Sequence, residues 1–326
     1  MAHPYDTLTP DAVLDALASV GLWGDGRLTA LSSYENRVYQ VALEPPADPQ
    51  VVVKFYRPGR WSDEAIGEEH AFAAELAEAE VPAVAPLVLA GRTLHHHGGF
   101  SFSVSPRRGG RPPELDDPEV LEWIGRFLAR LHTVGAARPF AHRPALDVAS
   151  FGHEPREWLL THDAIPLDVA SSWHQACTTA LQAVEARLSA FEPQRLRLHG
   201  DCHPGNILWT PDHGPHFVDL DDARTGPAVQ DLWMLLSGER AQRQRQLGAL
   251  VDGYEQFREF DRRELALIEP LRTLRLIHYS AWLARRWDDP AFPRAFPWFG
   301  TSDYWQGQVR VLEEQLEAME EPGLVV

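Results

Sequence analysis

Residues 106–113 read Pro-Arg-Arg-Gly-Gly-Arg-Pro-Pro, and the hydrophobic pattern changes across them. Three prolines and two glycines in eight residues interrupt any regular element. Before this break, β-branched and aromatic residues come in short runs: Ala30 to Val41, Val51 to Phe55, Leu87 to Leu94 and Phe100 to Ser105. Two helical patterns lie among them. One covers 8–20, with Thr9 as N-cap and Pro10 at the first helical position; the other runs from Ser62 to Glu80. After the break, helical spacing dominates, over 117–134, 171–191, 247–257 and 263–286. Short strand-like runs remain only at 195–198, 207–209 and 217–220. The expected fold class is therefore α+β with two lobes. Residues 1–105 would form a small, mostly antiparallel lobe with one internal helix, and 106–326 a helical lobe.

The balance of 44% hydrophobic and 24% charged residues is that of a folded chain, not a disordered one. Thirty basic and 47 acidic side chains give a net charge of −17, which repels phosphate backbones, so no nucleic-acid partner is expected. No apolar run reaches the ~18 residues that a membrane span needs; the longest candidate, Val81 to Ala90, contains Pro82 and Pro86. No signal peptide is visible at the N-terminus, and two cysteines, Cys177 and Cys202, build no disulfide framework. A cytoplasmic monomer is the expectation. The triplet His95-His96-His97 has the look of a metal tract, but Gly98 and Gly99 follow it, and a hairpin tip is the better reading.

Among the 30 basic residues there is one lysine, Lys54, at the centre of the run Val-Val-Val-Lys-Phe-Tyr. Codon bias explains the arginines but not the survivor. Lys54 marks a place that needs a compact ammonium rather than a planar fork. A buried cation there needs a carboxylate. In the following helix Ile66, Phe72, Ala73 and Leu76 define the apolar face; Glu69 lies within it, and Glu64, Glu68 and Glu75 lie nearly opposite.

The densest polar segment is Leu-Arg-Leu-His-Gly-Asp-Cys-His-Pro-Gly-Asn-Ile-Leu-Trp, 196–209. An apolar strand enters, a loop carrying His199, Asp201, His203 and Asn206 turns, and an apolar strand leaves. A further run, 217–223, places Asp219 at the end of a buried strand. A hairpin of this kind brings Asp201, Asn206 and Asp219 to one edge, and their oxygens suit a hard cation such as Mg2+.

His-Gly-Asp-x-His-x-x-Asn followed by a strand ending in Asp resembles the signature of the aminoglycoside-phosphotransferase and choline-kinase-like branch of the kinase fold. His199, Gly200, Asp201, His203 and Asn206 match it position by position. The stretches Ser-Tyr-Glu-Asn-Arg-Val-Tyr-Gln (33–40), 54–61 and 267–299 narrow the resemblance to bacterial stress-response serine/threonine protein kinases of that branch. The resemblance implies a bilobal protein-kinase-like fold and a phosphotransferase using ATP and Mg2+. Asp201 would be the catalytic base, Asn206 and Asp219 would hold Mg2+, and Lys54 with Glu69 would serve the nucleotide. Ser33 and Asn36, in a phosphate loop without glycine, would lie near ATP. The acceptor would be a protein serine or threonine; a small-molecule hydroxyl is the alternative, because the catalytic residues are shared. A zinc hydrolase would leave Lys54 and Glu69 without purpose, and a non-catalytic pseudokinase would lack one of these groups.

Other roles stay open. His199 and His203 are read as buttresses of the loop, and Asp231 as a cap or loop anchor. Asp221 and Asp222 are read either as metal or acceptor contacts or as solvated turn residues. Arg37 is either a phosphate contact or an exposed cation. The aromatic stretch 282–305 is either a cover on the helical lobe or a wall of the acceptor site.

Overall fold

Alternation along one strand decides the layout of the N-terminal lobe. In β3 (Gln50–Phe55), Val51, Val53 and Phe55 point one way into a core with Val13 and Leu17 of α1 (Pro10–Ser19). A period of two sends Lys54 to the opposite face, toward the helix that follows. The computed structural model describes residues 4–45 and 49–326. Pro46, one of the prolines that punctuate the sequence before β3, lies outside the described residues. In the described residues β3 sits inside an antiparallel sheet of order β1-β2-β3-β5-β4, with β1 Gly24–Ala30, β2 Arg37–Leu43, β4 His95–His97 and β5 Phe100–Pro106. Lys54 pairs with Val38 on one side and Ser103 on the other.

Helix α2 (Asp63–Glu78) starts where Ser62 Oγ accepts the N–H of Ala65, an N-cap bond. Its inner face is the expected one: Ile66, Glu69, Phe72, Ala73 and Leu76 are all buried. Phe72 and Leu76 pack into the helical core rather than the sheet core. The opposite face is partly covered, with Glu64 left exposed. Glu68 accepts the N–H groups of Ala141, His142 and Arg143, and Glu75 pairs with Arg138 and Arg197. Both acids fasten α2 to the helical lobe.

The rest of the chain is α3 (Pro118–Ala136), α4 (Glu154–Thr161), α5 (Leu167–Leu188), strands β6 (Leu196–Leu198), β7 (Ile207–Thr210), β8 (Gly214–Phe217) and β9 (Arg224–Gly226), then α6 (Gln230–Trp233), α7 (Arg240–Tyr254), α8 (Ile268–Ala284), α9 (Ala291–Ala295) and α10 (Ser302–Glu320). Strand pairs β6–β9 and β7–β8 carry the polar loops. An N-terminal antiparallel sheet followed by a helical lobe is the α+β, kinase-like arrangement expected. No helix among the described residues is long and apolar enough to cross a membrane.

Three local expectations need correcting. Ala30 to Val41 is not one strand: it breaks at residues 31–36, where Ser32, Ser33, Glu35 and Asn36 interrupt the apolar pattern, and Ala30 turns back to pair with Tyr39. Leu87 to Leu94 is irregular; the partner of β5 is the histidine triplet, with Gly98 and Gly99 at positive φ making the turn. The strand before Asp219 ends at Phe217, and Asp219 itself takes a left-handed conformation, φ 58° and ψ 63°. Asp tolerates that region better than most residues, and such backbone concentrates at functional sites.

Candidate active site

The loop after β6 is held from below. Asp231, at the start of α6 and fully buried, accepts the N–H of His199 at 2.9 Å and of Gly200 at 2.8 Å. His132 Nε2 lies 3.1 Å from the same carboxylate, and Gln230 donates to the Gly200 carbonyl. Gly200 has φ +82°, and a Cβ there would meet the Asp222 carbonyl oxygen at 2.2 Å, so only glycine lets the two loops touch. His199 donates from Nε2 to the carbonyl of Val218, the residue before Asp219, and Val218 N–H donates to Asn206. The two loops are thus one hydrogen-bonded unit, with Asp231 as anchor rather than as a reacting group.

Asn206 directs its amide nitrogen at the Asp201 carbonyl, 2.9 Å, and toward Asp201 Oδ2, 3.4 Å. That turns its carbonyl oxygen the other way. That oxygen and the Asp219 carboxylate, carried on loops joined by the Val218–Asn206 backbone bond, are both hard oxygen donors. Among the described residues no group of three or more His, Cys, Asp or Glu side chains is placed to hold a metal alone. Mg2+ commonly takes one or two protein oxygens and completes its shell with phosphates and water, so this donor set fits it.

Lys54 reaches the same place from the sheet. Its Nζ lies 3.3 Å from Glu69 Oε1, 3.0 Å from Asp219 Oδ1 and 3.1 Å from Asp221 Oδ1. Burial alone would depress this ammonium, but Asp221, Glu69 and Asp219 outweigh it and raise its pKa well above the ordinary lysine range. Glu69, only 6% exposed, is pushed up by burial against the pull of Lys54. Asp221 is buried, yet Arg60 and Lys54 overcome that burial and hold it down at about 2. Asp221 is therefore an internal ion-pair member, not a solvated turn residue. Asp222 pairs with Arg60 and Arg224.

Sequence reasoning missed several groups. Arg60 joins Asp221 and Asp222. Arg143, buried, donates to the carbonyls of Asp221, Ala223 and Ala65 and so ties α2 to the Asp219 loop. Neither has a periodic signal; both lie far in sequence from their partners. Of the two proposed phosphate-loop residues, Ser33 is half-buried in the turn between β1 and β2. Asn36 is buried, and its Oδ1 accepts the N–H of Arg57. The structure uses Asn36 to shape the loop.

That loop is gripped from outside. Trp282 Nε1 donates to Glu35 Oε2 at 2.5 Å, Arg286 Nε lies 2.5 Å from the same oxygen, and Arg57 Nε lies 2.9 Å from Oε1. Asp289 pairs with Arg57 and Arg37, and Tyr34 packs on Phe296 with ring centroids 4.9 Å apart. The aromatic segment is thus a strap from the helical lobe onto the loop, and Arg37 belongs to it. Glu35→Ala leaves Arg286 and the indole N–H without their carboxylate, takes one of two carboxylates from Arg57, and is expected to cost about 3 kcal/mol of stability, together with a several-fold rise in KM for ATP. Thermal melting and ATP-dependent kinetics check both; an unchanged KM would separate the strap from the loop's function.

Comparison with known proteins shows the family. The model of the phosphotransferase enzyme family (APH) matches residues 27–268. The chain is 49% identical over 324 residues to the serine/threonine protein kinase RdoA of Salmonella typhimurium, covering 99% of this chain and 97% of that one. It is 48% identical over 323 residues, with the same coverage, to stress response kinase A of Escherichia coli K12. Among solved structures, an amicoumacin kinase in complex with AMP-PNP and Ca2+ has TM-score 0.72 at 17% identity, covering 95% of this chain and 94% of that one. A microcompartment-associated aminopropanol kinase has TM-score 0.71 at 20% identity, covering 98% and 99%. At such identities these two show the fold. A family match over most of the chain, with near-half identity along its whole length, makes this chain a member of the phosphotransferase enzyme family and a kinase.

Proposed function

We propose that this kinase transfers the γ-phosphoryl group of ATP to a serine or threonine hydroxyl of a polypeptide, with Mg2+, in a bacterial stress response. The observation that carries the reading is the convergence of Lys54, Glu69 and Asp219 on one point, next to a loop that presents Asp201 and Asn206. Phosphoryl transfer asks a protein mainly for positioning and charge. Asn206 and Asp219 would hold Mg2+, whose charge would neutralise that of the phosphates. Lys54, steadied by Glu69, gives up its contact with Asp219 to bind phosphate oxygens. Ser33 and the backbone of 31–36 cover the phosphates, with Asn36 keeping the loop in shape. Asp201 orients the acceptor hydroxyl and takes its proton.

The near-half identity to a chain named serine/threonine protein kinase RdoA supports a polypeptide acceptor. Incubation with labelled ATP, Mg2+ and a generic protein, followed by phosphoamino-acid separation, tests it. Label on serine or threonine is expected. Label found only on small hydroxylated molecules would replace the polypeptide with a small-molecule acceptor.

Lys54→Arg keeps the charge but not the compact ammonium that fits among three carboxylates. Transfer is expected to fall about 10²-fold or more, the scale of losing one electrostatic donor. The readout is kcat at saturating ATP, with circular dichroism confirming the fold. An arginine variant with most of its activity would refute the lysine's special role.

A further inference from the structure

Helix α8 turns one stripe toward the cleft. Arg275, Tyr279 and Trp282 recur at spacings of four and three, and Arg286 follows one turn later, just past the helix end. Contacts fix the direction of this stripe. At one end Arg275 Nη1 lies 2.7 Å from Asp201 Oδ1. At the other, Trp282 and Arg286 hold Glu35 of the phosphate loop. Between them the rings of Tyr279 and Trp282 stack with centroids 5.6 Å apart. The stripe therefore runs from the proposed base to the phosphate loop.

The two oxygens of Asp201 are not equivalent. Oδ2 faces Asn206, at 3.4 Å, and His203, at 3.6 Å, on the side of the metal donors. Oδ1 is turned to α8 and meets the guanidinium. An acceptor hydroxyl that approaches without disturbing Asn206 must come to Oδ1, where Arg275 now sits. The Arg275 side chain is 36% exposed, enough to swing aside within the cleft. It stays charged when it does so. Asp222, an acid of the neighbouring loop, already has Arg60 and Arg224 as partners. The displaced guanidinium needs a new anion, and the acceptor is what enters.

We propose that Arg275 is the acceptor-recognition residue, and that it selects a serine or threonine hydroxyl with a carboxylate beside it in an acidic polypeptide segment. The proposal rests on the polypeptide-kinase reading above. An acceptor bearing an amine at this point would meet a fixed cation and be disfavoured. The stacked Tyr279 and Trp282 offer an apolar face for the flanking backbone. The overall charge of −17 opposes an acidic partner at long range, but salt screens that field beyond about 8 Å. The Arg275 contact acts inside the cleft.

The test uses three peptides that share one serine and differ only in its two neighbours: Asp, Asn or Lys. Each is assayed at saturating ATP and Mg2+ with the wild-type enzyme and with Arg275→Gln, Arg275→Lys and Arg275→Glu. The wild type is expected to favour the Asp peptide over the Asn peptide by roughly tenfold in kcat/KM, with the Lys peptide last. The lysine variant keeps part of this preference, the glutamine variant loses it, and the glutamate variant inverts it in favour of the Lys peptide. The ratio between peptides is read within each variant, so a general loss of activity does not mimic the result. A wild-type preference for the Lys peptide, or an order unchanged in the Gln and Glu variants, overturns the role of Arg275 and leaves the kinase reading standing. If the wild type phosphorylates none of the peptides but does phosphorylate small amino-alcohols, the polypeptide reading falls and this inference with it.

Discussion

Asp201→Ala is expected to lower phosphoryl transfer by about 10²–10⁴-fold, the range of a positioned general base, while leaving Mg-ATP affinity close to that of the wild type. Asp219→Ala is expected to lose transfer and also weaken Mg-dependent nucleotide binding. The difference follows from the geometry. Asp201 faces Arg275 and the proposed acceptor side, whereas Asp219 sits against Lys54 and beside Val218, whose N–H is bound to Asn206. Removing Asp219 would delete one of the two proposed metal donors and unbalance the lysine; removing Asp201 would do neither. Calorimetric titration of both variants with Mg-ATP, alongside initial rates, separates the roles. Equal losses of binding in the two would contradict them.

Asp231→Ala is expected to be the most damaging change outside the reacting groups. It would strand the N–H groups of His199 and Gly200 and Nε2 of His132, all buried. Each orphaned group costs about 1–3 kcal/mol, so a loss of about 3 kcal/mol or more is expected. The loop that carries Asp201 and Asn206 would lose its support at the same stroke. The urea midpoint should fall, and transfer should be lost even where the chain is still folded. An unmoved midpoint with full activity would mean that the loop holds itself.

What was legible in the sequence is what local pattern encodes. Alternation in β3 separates Lys54 from its apolar neighbours, and helical spacing picks Glu69 out of six glutamates between 64 and 80. The turn chemistry of 199–206 singled out the loop that carries Asp201 and Asn206. What was not legible depends on pairings that only the tertiary fold makes. Glu35 and Trp282 meet across 247 residues, and Arg57 and Asp289 across 232. Nothing near Glu35 in sequence says that an indole and two guanidinium groups will surround it. Helical spacing placed Glu68 and Glu75 opposite the apolar face but could not supply their partners; the loop 138–143 and Arg197 do so. Asp221 could be read as a solvated turn residue or as a metal or acceptor contact, because its countercharge comes from distant segments: Lys54 and Arg60 let it be buried. Weak strands such as β1, with Gly24 and Gly26, exist because pairing with β2 overrides poor propensity.

The central claim is that one cleft binds Mg-ATP between Lys54 and the loops of Asp201 and Asp219. Crystals grown with a non-hydrolysable ATP analogue and Mn2+ test it most directly, through the anomalous signal of the metal. The account predicts a peak bonded to Asp219 and Asn206, with the nucleotide phosphates between it and Lys54. A peak at any other cluster, or a nucleotide bound away from Lys54, would contradict it.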